Sequence, residues 1–306
     1  IDIYTESVNA VKNLQHIVDK LPSRCGFERK ESLHFASTLQ DADGLMREFE
    51  CRKMAGIKVK WLSKDEVRSS YGIVSEGGIL SSVGASLDAY QLTHGLMEYV
   101  ITNFGAQVYD HTQRVSVQYG PTGCVAYMDT LSEVKCANII YSTGYEAHEL
   151  LDGVGRLIST YACISEPITN LPKALDDTIF WNTEEPYFYL RCTSDNRILI
   201  GGEDEDFVDP GKRDSLIEKK EMFLTEKLQA CLPGIDFVPD YTWAGTFGAT
   251  KDSLPYIGPH PAFPHCYFVL SYGGNGVTFS LMAMDILSDA LANRRNRFLE
   301  YFKFNR

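Results

Sequence analysis

Residue types that carry acid–base, metal or nucleophilic chemistry are spread along the 306 residues rather than gathered in a recognisable spacing. The seven histidines include no H-E-x-x-H pair, and His16, His94 and His148 fall in helical patterns where a structural or surface role is expected. The eight cysteines, Cys25, Cys51, Cys124, Cys136, Cys163, Cys192, Cys231 and Cys266, contain no C-x-x-C pair. A zinc ribbon or dithiol redox motif is therefore not expected, and buried free thiols in a reducing, cytoplasmic setting are. No G-x-S-x-G elbow serves a hydrolase. Gly211-Lys212 lacks the preceding glycine of a phosphate-binding loop. Gly153-Val154-Gly155-Arg156-Leu157-Ile158 lacks the third glycine of a dinucleotide fingerprint and follows Leu150-Leu151-Asp152, not a strand pattern. The run Glu203-Asp204-Glu205-Asp206 lacks calcium-loop spacing and reads as a solvated loop.

Three glycine-bearing segments remain. Asn138 to Ser142 is a compact apolar strand running into Thr143-Gly144, which leaves bare backbone at a strand's carboxyl end, where open α/β sheets bind ligands. Trp243 to Gly258 carries Gly245, Gly248 and Gly258 and allows close approach of a flat ligand, though taken alone it equally suits a turn between strands. Tyr267 to Ser271 is a strand entering Tyr272-Gly273-Gly274-Asn275-Gly276, with a helix opening at Val277-Thr278. Free N–H groups and the positive dipole end of such a helix favour an anionic or carbonyl-bearing ligand.

The elements that must hold these segments are mixed. Helical spacing predicts helices over 6–21, 41–55, 212–231 and 277–292, and one after Asp88 closed by Gly105, with Ser63-Lys64-Asp65-Glu66 as a capping box. Strand patterns cover 32–36, 58–62, 77–83, 106–109, 114–119, 123–128, 134–137, 157–164, 178–181, 187–192, 197–201, 242–246 and 267–271. Irregular alternation predicts a mixed α/β or α+β chain with two domains interleaved in sequence. Apolar content of 44% and 23% charged residues fit an ordinary folded chain. The formal charge of −12 argues against nucleic acid and anionic membrane as partners. No run of about 18 apolar residues predicts a spanning helix.

The order and content of the motifs resemble the FAD-dependent amino acid and amine oxidases of the glycine oxidase, sarcosine oxidase and D-amino acid oxidase type. The resemblance rests on Ser142-Thr143-Gly144, Tyr189-Leu190-Arg191, Gly201-Gly202-Glu203-Asp204, Trp243 to Gly258 and Tyr272 to Thr278. Gly84 to Asp88 and Gly105 to Val108 fit as well, with Ala89 in place of a proline. It implies a truncated FAD-binding Rossmann-like domain at 1–21, 88–155 and 245–306, and an antiparallel-sheet substrate or cap domain at 22–87 and 156–244. It also implies that about 70–80 residues, a strand–GxGxxG–helix unit, precede Ile1.

Carried over by position, the resemblance puts the backbone of Val115 at the adenine side and Thr143 with Gly144 near the ribose and pyrophosphate. It puts Gly245, Gly273, Gly274, Asn275, Gly276, Val277 and Thr278 around the isoalloxazine, with FAD held non-covalently because Gly245 stands where a flavin-linking cysteine would. It makes Tyr189, Arg191 and Phe247 substrate-pocket residues and the substrate a small amine or amino acid; it assigns no catalytic residue and no metal. Phe247 and Gly274 occupy the places of the family's carboxylate-binding arginines, which points away from simple α-amino acids toward a larger or less acidic amine. Arg191 is either a substitute anchor or a surface strand residue beside Tyr189. A dehydrogenase of a hydroxy acid or glycerol phosphate, or a non-catalytic binding module, are the other readings left open.

Overall fold

The computed structural model describes residues 1–151 and 153–306, without the side chains of 147–149, so the readings made at His148 and Asp152 lie outside the described residues. In chain order the elements are α1 (Asp2–Val18), β1 (Glu28–Phe35), α2 (Leu39–Met54), β2 (Val59–Leu62), α3 (Lys64–Tyr71), β3 (Gly78–Ser86) and α4 (Ala89–Phe104). There follow β4 (Arg114–Tyr119), β5 (Cys124–Met128), β6 (Glu133–Cys136), β7 (Ile139–Tyr141), β8 (Arg156–Ser165), α5 (Lys173–Asp176), β9 (Thr178–Asn182), β10 (Phe188–Cys192) and β11 (Ile198–Glu205). The chain ends with α6 (Pro210–Ser215), α7 (Ile217–Cys231), β12 (Pro239–Ala249), β13 (Tyr256–His260), β14 (Phe263–Leu270), α8 (Gly276–Leu291) and α9 (Leu299–Phe302). This is the mixed α/β class with a large, mostly antiparallel sheet.

The chain forms two units. The first comprises 1–11, 26–88 and 158–246. Its eight strands run in the order β12-β8-β11-β10-β9-β1-β3-β2, with a parallel pairing where β1 meets β9. Period-2 alternation sorts the side chains to two faces. Phe188, Leu190 and Cys192 of β10 are buried, while Tyr189 and Arg191 between them are half-buried. The buried face joins Leu33, Phe35, Phe180, Leu190, Ile200 and Tyr161 to Leu224 and Leu228 of α7 and Val67 of α3. On the opposite face α2 covers β2 and β3 through Leu45 and Phe49 against Ile79. The helix starts are fixed by capping boxes at Thr38 with Asp41 and at Ser63 with Glu66, as the spacing predicts for the second.

The second unit comprises 12–25, 89–157 and 247–306. It holds the sheets β13-β14-β7 and β4-β5-β6. Tyr141 of β7 stacks on Phe268 of β14 at 5.0 Å, and His260, Phe263 and Phe304 pack edge-on around Phe268. Helix α8 buries Phe279, Met282, Ala283, Ile286 and Leu287.

Several expectations are corrected. Residues 106–109 form no strand: Gly105 ends α4 with φ +68°, and Val108 and Tyr109 then lie 53% and 71% exposed. The helix expected over 212–231 is two, because Asp209 caps a separate turn begun by Pro210. The acidic run at 203–206 is no solvated loop: β11 continues through Glu205, and Glu203 is buried. All eight cysteines are free. No helix among the described residues is long and apolar enough to cross a membrane.

Candidate functional site

In the second unit β7 and β14 pair in parallel, Tyr141 beside Phe268, so their carboxyl ends lie side by side. The chain leaves β7 through Ser142, Thr143 and Gly144 and leaves β14 through Ser271, Tyr272 and Gly273. Two of the expected segments are thus brought to one sheet end. The hydroxyl of Tyr272 links them, being hydrogen-bonded with Ser142 and with Ser280 in the first turns of α8, and burial raises its pKa. Ser271, at φ +60°, is fixed by a hydrogen bond from its hydroxyl to the Val154 carbonyl. Ser142 and Tyr272 both stand within the sequence motifs, but the motifs assign neither a role, because the glycines beside them draw attention.

The geometry leaves donors free. Thr143 Oγ1 is shielded from solvent and has no hydrogen-bond partner among the described residues. Gly144 and Gly273 both adopt φ +58°, and a Cβ at either would meet nothing within 4 Å. Gly273, Gly274 and Asn275 form one 3₁₀ turn, and α8 starts at Gly276 with no side-chain cap on its first-turn N–H groups. Val277 and Thr278, on that first turn, are half-buried. A buried hydroxyl without a partner, open left-handed backbone and an uncapped sixteen-residue helix suit a flat ligand with carbonyl and anionic groups. Val115 stands apart on β4, 63% exposed; its neighbour Arg114 lies 5.5 Å over the ring of Tyr141, which ties β4 to the β7 end.

Of the remaining expected residues, Tyr189 and Arg191 lie on the first unit's sheet, on the face that α2 covers at its other end, and Gly245 and Phe247 lie on β12. Tyr189 of β10 is paired with Trp181 of β9 on one side and Gly201 of β11 on the other, and Gly201 with Ala162 of β8. Tyr189 lies across Gly201, where any Cβ would collide with its ring. Arg191 follows two residues on and donates to the Cys192 carbonyl at 3.5 Å. Gly245 of β12 lies beside Thr160 of β8, so that a Cβ would touch the threonine methyl at 3.8 Å. Phe247, also on β12, is half-buried and assigned to the second unit.

Asp204 escapes sequence reasoning because it hides in an acidic run. It is half-buried and hydrogen-bonded with Thr160; burial raises its pKa, against the effects of Thr160 and Lys220. Among the described residues no group of His, Cys, Asp or Glu forms a metal site.

Residues 2–290 match the family model described as FAD dependent oxidoreductase. The chain is 23% identical over 306 residues to the probable oxidoreductase OrdL of Haemophilus influenzae, covering 94% of this chain and 67% of that protein. It is 23% identical over 293 residues to glycine oxidase of Geobacillus kaustophilus, covering 92% and 76% respectively. The crystal structure of glycine oxidase from Geobacillus kaustophilus superposes with a TM-score of 0.82 at 20% identity, over 100% of this chain and 83% of that one. A shorter match, 32% identical over 111 residues, joins 36% of this chain to 24% of gamma-glutamylputrescine oxidoreductase of Escherichia coli.

Proposed function

This chain belongs to the FAD dependent oxidoreductase family, and from that premise we propose that it binds FAD non-covalently through its second unit and oxidises the C–N bond of a small amine. The observation that carries the reading is the joined end of β7 and β14, where the unpartnered Thr143 hydroxyl faces the same task as the uncapped start of α8. FAD, when bound, supplies the hydride acceptor. The N–H groups of Gly276, Val277 and Thr278, with the positive dipole end of α8, stabilise negative charge. Gly273 and Gly274 allow backbone approach to a flat ring, and Thr143 offers its hydroxyl and Gly144 its bare backbone to a ribose or phosphate. Val115 and Gly245 would line the cofactor by their backbone. Tyr189, Arg191 and Phe247 would line the substrate.

The names of two relatives, glycine oxidase and gamma-glutamylputrescine oxidoreductase, support amine or amino acid chemistry. Phe247 and Gly274 offer no guanidinium to a carboxylate, which favours an amine over a simple α-amino acid.

We also infer that the ADP half of FAD is held by polypeptide outside these residues, which contain no G-x-G-x-x-G run. In support, β7 is an edge strand, and an apolar channel of about 730 Å³ runs between α1, α4 and α8, lined by Leu14, Leu92, Leu96, Val100, Val277 and Leu281. A parallel strand on β7 and a helix in this channel would cover both. Titrating the chain with FAD, followed by flavin fluorescence, tests the reading: weak, saturable binding that Gly273→Ala and Thr143→Val both reduce is expected. Tight stoichiometric binding would overturn the inference about the ADP half. No binding at any FAD concentration would overturn the cofactor assignment.

A further inference from the structure

We propose that Cys124 and Cys136 form an oxidative modification site, where a hydroperoxide joins them in a cross-strand disulfide that thiols reopen. The inference concerns the second unit alone and does not depend on the cofactor reading.

The starting observation is a cluster of thiols. Cys124 opens β5 and Cys136 closes β6, and the antiparallel register sets the two directly opposite each other. Opposed residues of such a pair project to the same face, with Cα atoms about 4.5–5.5 Å apart. A disulfide spans about 4.4–6.8 Å between Cα atoms, so this pair closes without movement of the backbone. The Cys136 side chain already leans across the gap, its thiol donating to the Cys124 carbonyl at 3.8 Å. Gly123 keeps the strands this close, because any Cβ there would collide with the Cys136 carbonyl.

The pair sits against the second unit's other sheet. The Cys124 thiol donates to the Pro264 carbonyl of β14 at 3.7 Å. Tyr119 of β4, which the register sets opposite Cys124, packs edge-on against Phe263 with ring centroids 6.3 Å apart. Cys266, two residues beyond Pro264, brings a third thiol, hydrogen-bonded with Tyr119 and Cys124.

Access separates the three. A cavity of about 510 Å³ is walled by Tyr119, Gly120, Gly123, Cys124, Lys135 and Cys136. Cys136 is half-buried, whereas Cys124 is 4% and Cys266 1% exposed, and Cys266 lines no part of that cavity. A buried thiol is ordinarily a small apolar filler. What singles out this pair is a partner in register together with an opening to solvent. Cys136 is the sulfur that an oxidant reaches first, and Cys124 is the sulfur placed to answer it.

The chemistry takes two steps. The Cys136 sulfur attacks a hydroperoxide; the O–O bond breaks, sulfur keeps one oxygen as a sulfenic acid, and an alcohol leaves (water, for hydrogen peroxide). The Cys124 sulfur then attacks the sulfenic sulfur; the S–O bond breaks, the S–S bond forms, and water leaves with the Cys124 proton. Two thiols lose two electrons, and the peroxide gains them. Burial and the neighbouring Cys124 raise the Cys136 pKa, so the reactive thiolate is scarce at neutral pH and the first step is slow there.

Peptide mapping of the folded protein tests the proposal. The protein is treated with hydrogen peroxide in mildly alkaline buffer, alkylated and cut with trypsin without reduction. Cleavage after Arg114, Lys135, Arg156 and Lys251 puts Cys124, Cys136 and Cys266 in three separate peptides, so only a disulfide can join them. Peptides 115–135 and 136–156 should appear linked, and dithiothreitol should separate them. The link closes a short loop and restrains the unfolded chain, so the melting temperature should rise by several degrees. That gain should vanish with dithiothreitol and be absent in Cys136→Ser. The exposed Cys51 reports that the oxidant has acted. Free peptides 115–135 and 136–156 beside an oxidised Cys51 would overturn the proposal. So would a link from Cys124 to Cys266, or a Cys124–Cys136 link that forms only in urea. The wild-type map decides the matter even if Cys136→Ser does not fold.

Discussion

At the scale of single residues, burial decides which charges are functional and which are structural. Glu203 and Asp204 are adjacent, yet one is held by two lysines and the other is hydrogen-bonded with Thr160. Glu203→Ala should leave Lys220 paired with Glu205 alone and Lys227 with Glu184 alone, and cost about 1–3 kcal/mol in a denaturant melt. His34 supplies a pH signature. It stacks on Trp181 at 3.8 Å, and burial, aided by Arg52 and opposed by Glu48, lowers its pKa to about 4. The unfolded chain, with a normal histidine, binds the proton first. Stability is thus unaffected above about pH 6.5 and falls as pH drops toward 4, by up to about 3 kcal/mol from this residue. His34→Phe should flatten that slope in melting temperatures measured from pH 4 to 7.

At the scale of elements, period and capping made much of the fold legible. The capping box at Ser63, the strand ending in Thr143-Gly144 and the strand–glycine–helix passage at 273–278 all announce themselves because few residue types satisfy those backbones. The bulge in β11 is not legible: a run of four acids shows no period, and only the partners Lys220 and Lys227 reveal which way each side chain turns. The turn at 252–254 is another case. Asp252 reads as a motif residue, but its partner Arg306 lies 54 positions away and binds it bidentately, at 2.7 and 3.1 Å, with the guanidinium 4.0 Å over Tyr256. This pairing holds the Asp252 carboxyl well below the usual range. Its stabilisation is present above the ordinary aspartate pKa and is lost only in strong acid. Because the pair is partly exposed, Arg306→Ala should cost only about 1 kcal/mol at neutral pH, read by chemical denaturation.

At the scale of the whole molecule, the two units divide the proposed chemistry: strand ends and an uncapped helix in one, a sheet face carrying Tyr189 and Arg191 in the other. The apolar channel between α1, α4 and α8 gives a prediction at this scale. Added polypeptide carrying the strand–GxGxxG–helix unit should bind the chain, tighten FAD retention and raise the melting temperature, whereas Leu96→Asp and Leu281→Asp in the channel should abolish that gain.

The central claim is that this chain uses FAD to oxidise an amine. It is tested most directly by anaerobic spectroscopy of the protein with excess FAD before and after adding 1,4-diaminobutane. The protein should perturb the visible flavin spectrum, and the diamine should bleach it. A spectrum identical to that of free FAD, unchanged by diamine or amino acid, would contradict it.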